Sequence, residues 1–422
     1  MKIVIMAGGK GTRIASVNSE VPKPMIPILN KPILEYQIEA LKAQGYCDII
    51  LVVGHLGHII RDYFGDGSAI SPATGKPFGV NIQYVTETEP LGTAGALYLL
   101  KEQLTEDFLL INGDIIFDID IDRFYQFHRQ HGGLATLFTH PNNHPYDSGI
   151  IVADKLGKVE NWLHKEDEHL WYQNRVNAGL HMLSPRILDS FTELKKRDLD
   201  REVLKPLISS GRLFVYDSPE YVKDMGTPDR YYAVIEDIQS GKVSAKNLKN
   251  MQKAVFLDRD GTINKYVGFL RDIDQFELLP GVAKAIAKIN ETGYLAIVVT
   301  NQPVIARGEV TRDELQEIHN KMETLLGQHG AYLDGIYYCP HHPDRGFEGE
   351  IPELKFECEC RKPKPGMLMQ AARDFNIDLR QSWMVGDGEN DVQAGIAAGC
   401  QNVKLGQKEK YKDLLDFVNH IF

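Results

Sequence analysis

Twice along this chain, short runs rich in valine and isoleucine alternate with stretches of helical period. The first series reads KIVIMA (2–7), a helical pattern from about Lys31 to Gln44, DIILVVG, a helical pattern near 57–64, NIQYVTE, another near 93–103, and FLLINGD. The second starts at 253 with KAVFLDRD, then a helical pattern near 280–292, YLAIVVTN, one near 311–329, a loop rich in Pro, Cys and His, one near 366–375, and SWMVGDG. Such alternation predicts parallel strands with helices on both faces, so the chain is expected to be α/β and to fold twice. The stretch QSGKVSAKNLKNMQK between the two series is polar and lacks aromatic residues, which suits a linker. The expected division is therefore 1–238, a linker at 239–252, and 253–422. Ligands of such sheets lie beyond the carboxyl ends of the strands, and the motifs of interest are sought there.

Composition narrows the class. Hydrophobic residues make up 43% and charged residues 25% of the 422, as in a globular protein. No apolar run approaches the ~20 residues of a bilayer span, which excludes a membrane partner and makes the cytoplasm the default address. A net charge of −11 speaks against nucleic acid, whose binding needs clustered Lys and Arg. Phosphorylated substrates would then require local positive charge or a metal. Three of the five cysteines fall between 339 and 360, a clustering that fits a metal site better than a disulfide framework. The sequence leaves a homo-oligomer open.

Directly after the first strand, MAGGKGTRI sets Gly8, Gly9, Lys10, Gly11, Thr12 and Arg13. Glycine lets backbone N–H groups close on a phosphate, and the basic residues add charge where a pyrophosphate would lie. In VPKPM, Lys23 is presented from a segment stiffened by Pro22 and Pro24. The small residues of EPLGTAGAL, Gly92 and Thr93 among them, would let a base or ribose lie flat against the chain. LLINGD places Asp114 at a strand end, where a carboxylate can hold a metal.

Taken in order, MAGGKGTRI, VPKPM, LGTAGAL, NGD, NAGLHML and KDMGTPDRY give residues 1 to about 235 a clear resemblance to the sugar-1-phosphate nucleotidyltransferases, in particular the mannose-1-phosphate guanylyltransferases. The resemblance implies a Rossmann-like, GT-A-like domain. It implies that Arg13 and Lys23 bind the triphosphate, that Asp114 and Asp224 hold Mg²⁺, and that Lys165 holds the sugar phosphate. Asn177 and Gly179 would contact sugar hydroxyls. Lys165 belongs to VENWLHK, where His164 replaces the family's usual Glu.

FLDRDGTIN places Asp258 and Asp260 two residues apart after a strand, so both can face one phosphoryl group, one as nucleophile and one as acid/base. With VVTNQ, CRKPKPGM and MVGDGEND following, the second half resembles the haloacid dehalogenase (HAD) superfamily of phosphohydrolases. That resemblance implies Thr300 and Asn301 on phosphoryl oxygens, Lys362 as charge partner, and Mg²⁺ at Asp258, Asp260 and Asp387. Only 42 residues separate Asp258 from Thr300, too few for a large cap there. Cys339, His341, Cys358 and Cys360 instead form C-x-H…C-x-C, a donor set suited to tetrahedral, structural Zn²⁺. His342 beside His341 leaves the identity of the imidazole open.

The zinc loop narrows the resemblance to the branch holding heptose-1,7-bisphosphate 7-phosphatases and histidinol phosphatases, and there it implies substrate contacts at Arg307 and Arg361. Pro303 and Val304 depart from that branch's Ser-Gly, and Gly388 stands where a lysine commonly follows the metal-binding Asp. Fusion suggests consecutive steps: removal of a 7-phosphate leaves a heptose 1-phosphate, which a nucleotidyltransferase can join to an NTP, expected to be GTP. The rivals are a histidinol phosphatase fused to a guanylyltransferase-like domain, or one half serving as a scaffold.

Overall fold

The computed structural model describes every residue except 10–13, 15, 19, 165, 168 and 169. The chain divides into two compact units: Met1–Thr139 with Ile151–Trp162 and Asn177–Asn247, and Leu248–Phe422 with His140–Ile150 and Leu163–Val176. The division is therefore less simple than one cut at 239–252. Two stretches from the first half of the sequence belong to the second unit, where buried Arg175 pairs with Glu323 at 3.2 Å and the Tyr172 N–H donates to the Thr324 hydroxyl at 2.9 Å. Residues 239–252 are also more ordered than a polar tether. A helical turn at Lys242–Ala245 follows the helix Pro228–Gln239, and Leu248 and Gln252 are buried. Their polar character is used locally: the Asn376 amide donates to the Leu248 and Asn250 carbonyls at 2.9 and 3.0 Å, and the Gln252 N–H donates to the Asn376 carbonyl at 2.8 Å.

In the first unit, parallel strands Asn81–Thr86, Asp48–Val53, Lys2–Met6 and Phe108–Asn112 lie side by side in that order. Side chains alternate across a strand. Ile3 and Ile5 accordingly enter one core and Val4 the other, so both faces are buried. Beyond Phe108–Asn112 the sheet turns antiparallel, with Leu180 of Val176–Leu183 opposite Ile111. The alternation had predicted parallel strands, but residues 170–175 hold no helix to carry the chain back for a parallel approach.

The second unit keeps the expected pattern. Its sheet runs Gly335–Cys339, Tyr294–Asn301, Lys253–Leu257, Trp383–Gly386, Gln401–Lys404, all parallel. Val255 and Leu257 pack into one face, Ala254 and Phe256 into the other. In chain order these strands stand 3-2-1-4-5. The direction of winding reverses between Lys253–Leu257 and Trp383–Gly386, where such sheets open a crevice for ligand. Asp258 and Asp387 are the first residues beyond those two strands.

Candidate active sites

A cavity of about 710 Å³ opens at the carboxyl ends of the first unit's parallel strands. Gly8, Gly9, Lys23, Gly92, Thr93 and Asp114 line it. Lys10, Gly11, Thr12, Arg13 and Lys165 lie outside the described residues. A Cβ at Gly8 would sit 2.2 Å from a carboxylate oxygen of Glu87, so a larger residue there would have to displace that side chain. Glu87 also lines the cavity, and burial pushes its carboxyl above the usual range.

Lys23 forms an ion pair with Asp114. The loop carrying Asp114 is fixed from below by Gln37, whose amide donates to the Asn112 and Ile115 carbonyls at 2.9 and 2.8 Å. Asp224 lies alongside, because the Met225 N–H donates to the Asp114 carbonyl at 3.0 Å. Arg230, in the first turn of the helix Pro228–Gln239, grips Asp224 through both oxygens at 3.0 and 2.7 Å. Burial by itself would raise the Asp224 carboxyl. Arg230, the Gly226 N–H and Lys23 outweigh it and leave the group below its ordinary value. Two carboxylates with room for substrate phosphates suit Mg²⁺.

Of Thr93, Asn177 and Gly179, Thr93 alone lines this cavity. The Thr93 hydroxyl accepts the Leu199 N–H at 2.7 Å, so this side chain holds a neighbouring segment. Asn177 and Gly179 are not among the lining residues of the cavity. Asn177 bonds His181 Nε2 at 3.1 Å and reaches Asp200 at 3.5 Å. Asp200 sits in a π-helical turn, Leu199–Leu204, and burial together with Asp198 pushes its carboxyl up to about 6. Sequence reasoning missed Gln37, Glu87, Asp200 and Arg230. Their roles depend on tertiary neighbours that no local spacing reveals.

In the second unit a cavity of about 370 Å³ is lined by Asp258, Asp260, Thr300, Asn301, Arg361, Lys362, Asp387 and Asp391, among others. Lys362 Nζ lies 2.6 Å from both Asp258 and Asp391. Burial raises the Asp258 carboxyl to about 7 against the pull of Lys362. The grouped carboxylates that could hold a cation are Asp258, Asp387 and Asp391, whose oxygens all lie within 4.8 Å of one another. The Asp260 side chain, expected in that set, is held outside it. Arg259 bonds both of its oxygens at 3.0 and 2.8 Å, Asn264 donates at 3.1 Å and Gln302 at 2.9 Å. Burial opposes its charge, but Arg259 and these amides prevail and hold Asp260 as a carboxylate.

Asn301 lines the cavity and Arg307 does not. The Asn301 amide donates to the Lys362 carbonyl and accepts the Lys362 N–H, each at 3.0 Å. It clamps the loop that presents the lysine ammonium. The Thr300 hydroxyl accepts from Gln302 at 2.9 Å. Arg307 is buried behind the cavity wall, its guanidinium 4.0 Å from the ring centre of Phe269 and 4.3 Å from that of Phe347. Arg361 lines the cavity and donates to the His341 carbonyl at 3.2 Å.

Cys339, His341, Cys358 and Cys360 converge, with donor atoms within 4.8 Å of one another. His341 presents Nδ1 at 3.2 Å from the Cys360 sulfur, whereas His342 turns toward Arg307 at 3.5 Å. The described cysteines form no disulfide. Hydrogen bonding from Cys339 and its neighbours lowers the Cys360 thiol to about 5. Three sulfurs and an imidazole nitrogen at this spacing fit tetrahedral zinc.

Residues 2–241 match the nucleotidyl transferase family model, and residues 183–399 match that of the haloacid dehalogenase-like hydrolases. The chain belongs to both families. Among relatives of its hydrolase part, the D-glycero-beta-D-manno-heptose-1,7-bisphosphate 7-phosphatase of Yersinia pestis is 47% identical over 145 residues, covering 34% of this chain and 75% of that protein. The Pasteurella multocida protein of the same name is 46% identical over 155 residues, covering 37% and 82%. On the nucleotidyl transferase side, "Probable mannose-1-phosphate guanylyltransferase 2" of Oryza sativa subsp. japonica is 33% identical over 236 residues. That match covers 55% of this chain and 63% of the rice protein. No helix among the described residues is long and apolar enough to cross a membrane.

Proposed function

We propose that this chain is a bifunctional enzyme of nucleotide-activated heptose synthesis, with one catalytic site in each of its two units. The hydrolase site removes the 7-phosphate of D-glycero-D-manno-heptose 1,7-bisphosphate. The transferase site then joins the heptose 1-phosphate to a nucleotide from an NTP, taken to be GTP, and releases pyrophosphate. The observation that carries this reading is the presence, in one chain, of a hydrolase half 47% identical to a heptose bisphosphatase and a transferase half 33% identical to a protein named as a mannose-1-phosphate guanylyltransferase.

In the hydrolase, a carboxylate oxygen of Asp258 attacks phosphorus while the Lys362 ammonium, 2.6 Å away, offsets the gathering charge. Asp260 gives a proton to the departing alkoxide, which requires that it first take one up as the grip of Arg259 loosens. As a carboxylate, the form that Arg259 and the surrounding amides favour, it activates the water that hydrolyses the aspartyl-phosphate. In the transferase no protein nucleophile is needed. The sugar phosphate oxygen attacks the α-phosphate, and Lys23, with Arg13 and Lys165 as the family implies, orients the reacting groups and offsets their charge. Bound at Asp114 and Asp224, and at Asp258, Asp387 and Asp391, Mg²⁺ would neutralise phosphate oxygens at each site. Zinc at the four clustered ligands would brace the long loop without entering the chemistry.

Single-site variants test the assignment. Asp258→Asn should abolish phosphate release while leaving pyrophosphate release from heptose 1-phosphate and GTP, and Asp114→Ala should do the reverse. Near-normal turnover of either disabled half overturns its site.

A further inference from the structure

His319 stands on the helix Arg312–Gly327 among Leu315, Ile318 and Met322, all of them buried. The imidazole is buried with them, and a polar group in such company is costly unless it is hydrogen-bonded. Its Nε2 lies 3.3 Å from Nη1 of Arg259, 60 residues earlier in the chain. A guanidinium can only donate, so Nε2 accepts and the ring proton sits on Nδ1. The ring is accordingly neutral: burial, and then the Arg259 charge, hold its pKa down to about 3.

Arg259 is itself fully buried, and among the described residues Asp260 is the one carboxylate within ion-pair distance of it. Nε reaches one Asp260 oxygen at 3.3 Å, and Nη2 reaches both at 3.0 and 2.8 Å. Nη1, at the far corner of the planar group, goes to His319. An arginine that held Asp260 alone could follow that carboxylate through several rotamers. A second anchor at a different corner of the rigid fork removes this freedom.

We infer that His319 is a positioning residue of the hydrolase, acting through Arg259 to keep Asp260 out of the Asp258, Asp387 and Asp391 cluster and available to the leaving alcohol. This inference rests on the reading of Asp260 as the group that protonates that alcohol. Because Nη1 is anchored independently of Asp260, the guanidinium keeps its place while that carboxyl passes its proton to the alkoxide. Gln302 and Asn264 also bond Asp260, at 2.9 and 3.1 Å, so loss of His319 loosens the carboxyl without freeing it.

The test measures kcat/KM of the full chain on two phosphate esters, the heptose 1,7-bisphosphate and p-nitrophenyl phosphate. This parameter closes with departure of the alcohol, so hydrolysis of the aspartyl-phosphate does not enter it. A departing alkoxide needs a proton, and p-nitrophenolate does not. His319→Leu, which keeps the apolar face packed, should lower kcat/KM about tenfold on the bisphosphate and less than about threefold on the aryl ester. His319→Gln offers Arg259 a carbonyl oxygen and should return the bisphosphate value to within about threefold of wild type. His319→Phe takes the place of the leucine variant if that one fails to fold. Equal losses on the two esters, no loss on either, or a glutamine variant as poor as the leucine one overturns the positioning role. Asp260→Asn keeps the two failures apart. It should depress the bisphosphate far more than the aryl ester, and equal losses in that variant overturn the acid role of Asp260 itself.

Discussion

Asn301→Ala would separate a positioning role from direct phosphate binding. The amide makes two hydrogen bonds of 3.0 Å with the backbone of Lys362, and that residue is itself buried. Each such bond is worth about 1 kcal/mol net, and more when its loss strands a buried partner. The variant should therefore lose about 2–3 kcal/mol of stability in the hydrolase unit, read as a lower urea midpoint. The Lys362 ammonium, released from its 2.6 Å contacts with Asp258 and Asp391, should stabilise the transition state less by a similar amount. At 1.4 kcal/mol per factor of ten, that lowers kcat about 100-fold. KM should move less than threefold, since the phosphate-facing groups remain. Unchanged stability with a rise in KM alone would refute the clamp and restore Asn301 as a direct phosphate contact.

Gln37→Leu removes both bonds to the Asn112 and Ile115 carbonyls and should lower transferase kcat about tenfold, with phosphate release intact; equal losses at both activities would count against it. Burial pushes the Asp200 carboxyl up to about 6, from an ordinary value of about 4, so the folded state binds its proton more tightly than the unfolded chain. Stability must then fall as pH rises from about 4 to about 6, by at most ~3 kcal/mol and by about half that with solvent screening. Asp200→Asn should abolish the fall, and urea midpoints at pH 4.5 and 7.5 that change as much in the variant as in wild type would contradict this. Cys358→Ser takes one ligand from the Cys339–Cys360 cluster and should reduce bound zinc below half and phosphate release at least tenfold, with pyrophosphate release kept; full activity without zinc would remove its bracing role.

How much could be read in advance varies with the range of the interaction. Strand-end motifs were legible because a carboxylate two residues from another, or a glycine after an apolar run, is a local signal. Asp258, Asp387 and the Cys339–Cys360 cluster all fall where that signal points. Partner assignment was not legible. Arg230 lies six residues from Asp224 and Gln37 lies 77 residues from Asp114, and neither spacing announces a contact. Asn301 shows the same limit from the other side: its motif identifies the residue, but only the fold shows that the amide faces the Lys362 backbone. The polar stretch 239–252 read as a tether because composition cannot show that Asn376 supplies hydrogen bonds to it.

The central claim is that one chain takes a bisphosphate to a nucleotide sugar. Incubating the enzyme with D-glycero-D-manno-heptose 1,7-bisphosphate, Mg²⁺ and each NTP in turn, while following phosphate, pyrophosphate and nucleotide sugar, tests it most directly. Phosphate should appear with every NTP, and pyrophosphate and nucleotide sugar should follow in equal amounts with GTP. Phosphate release without nucleotide sugar from any NTP would contradict the account.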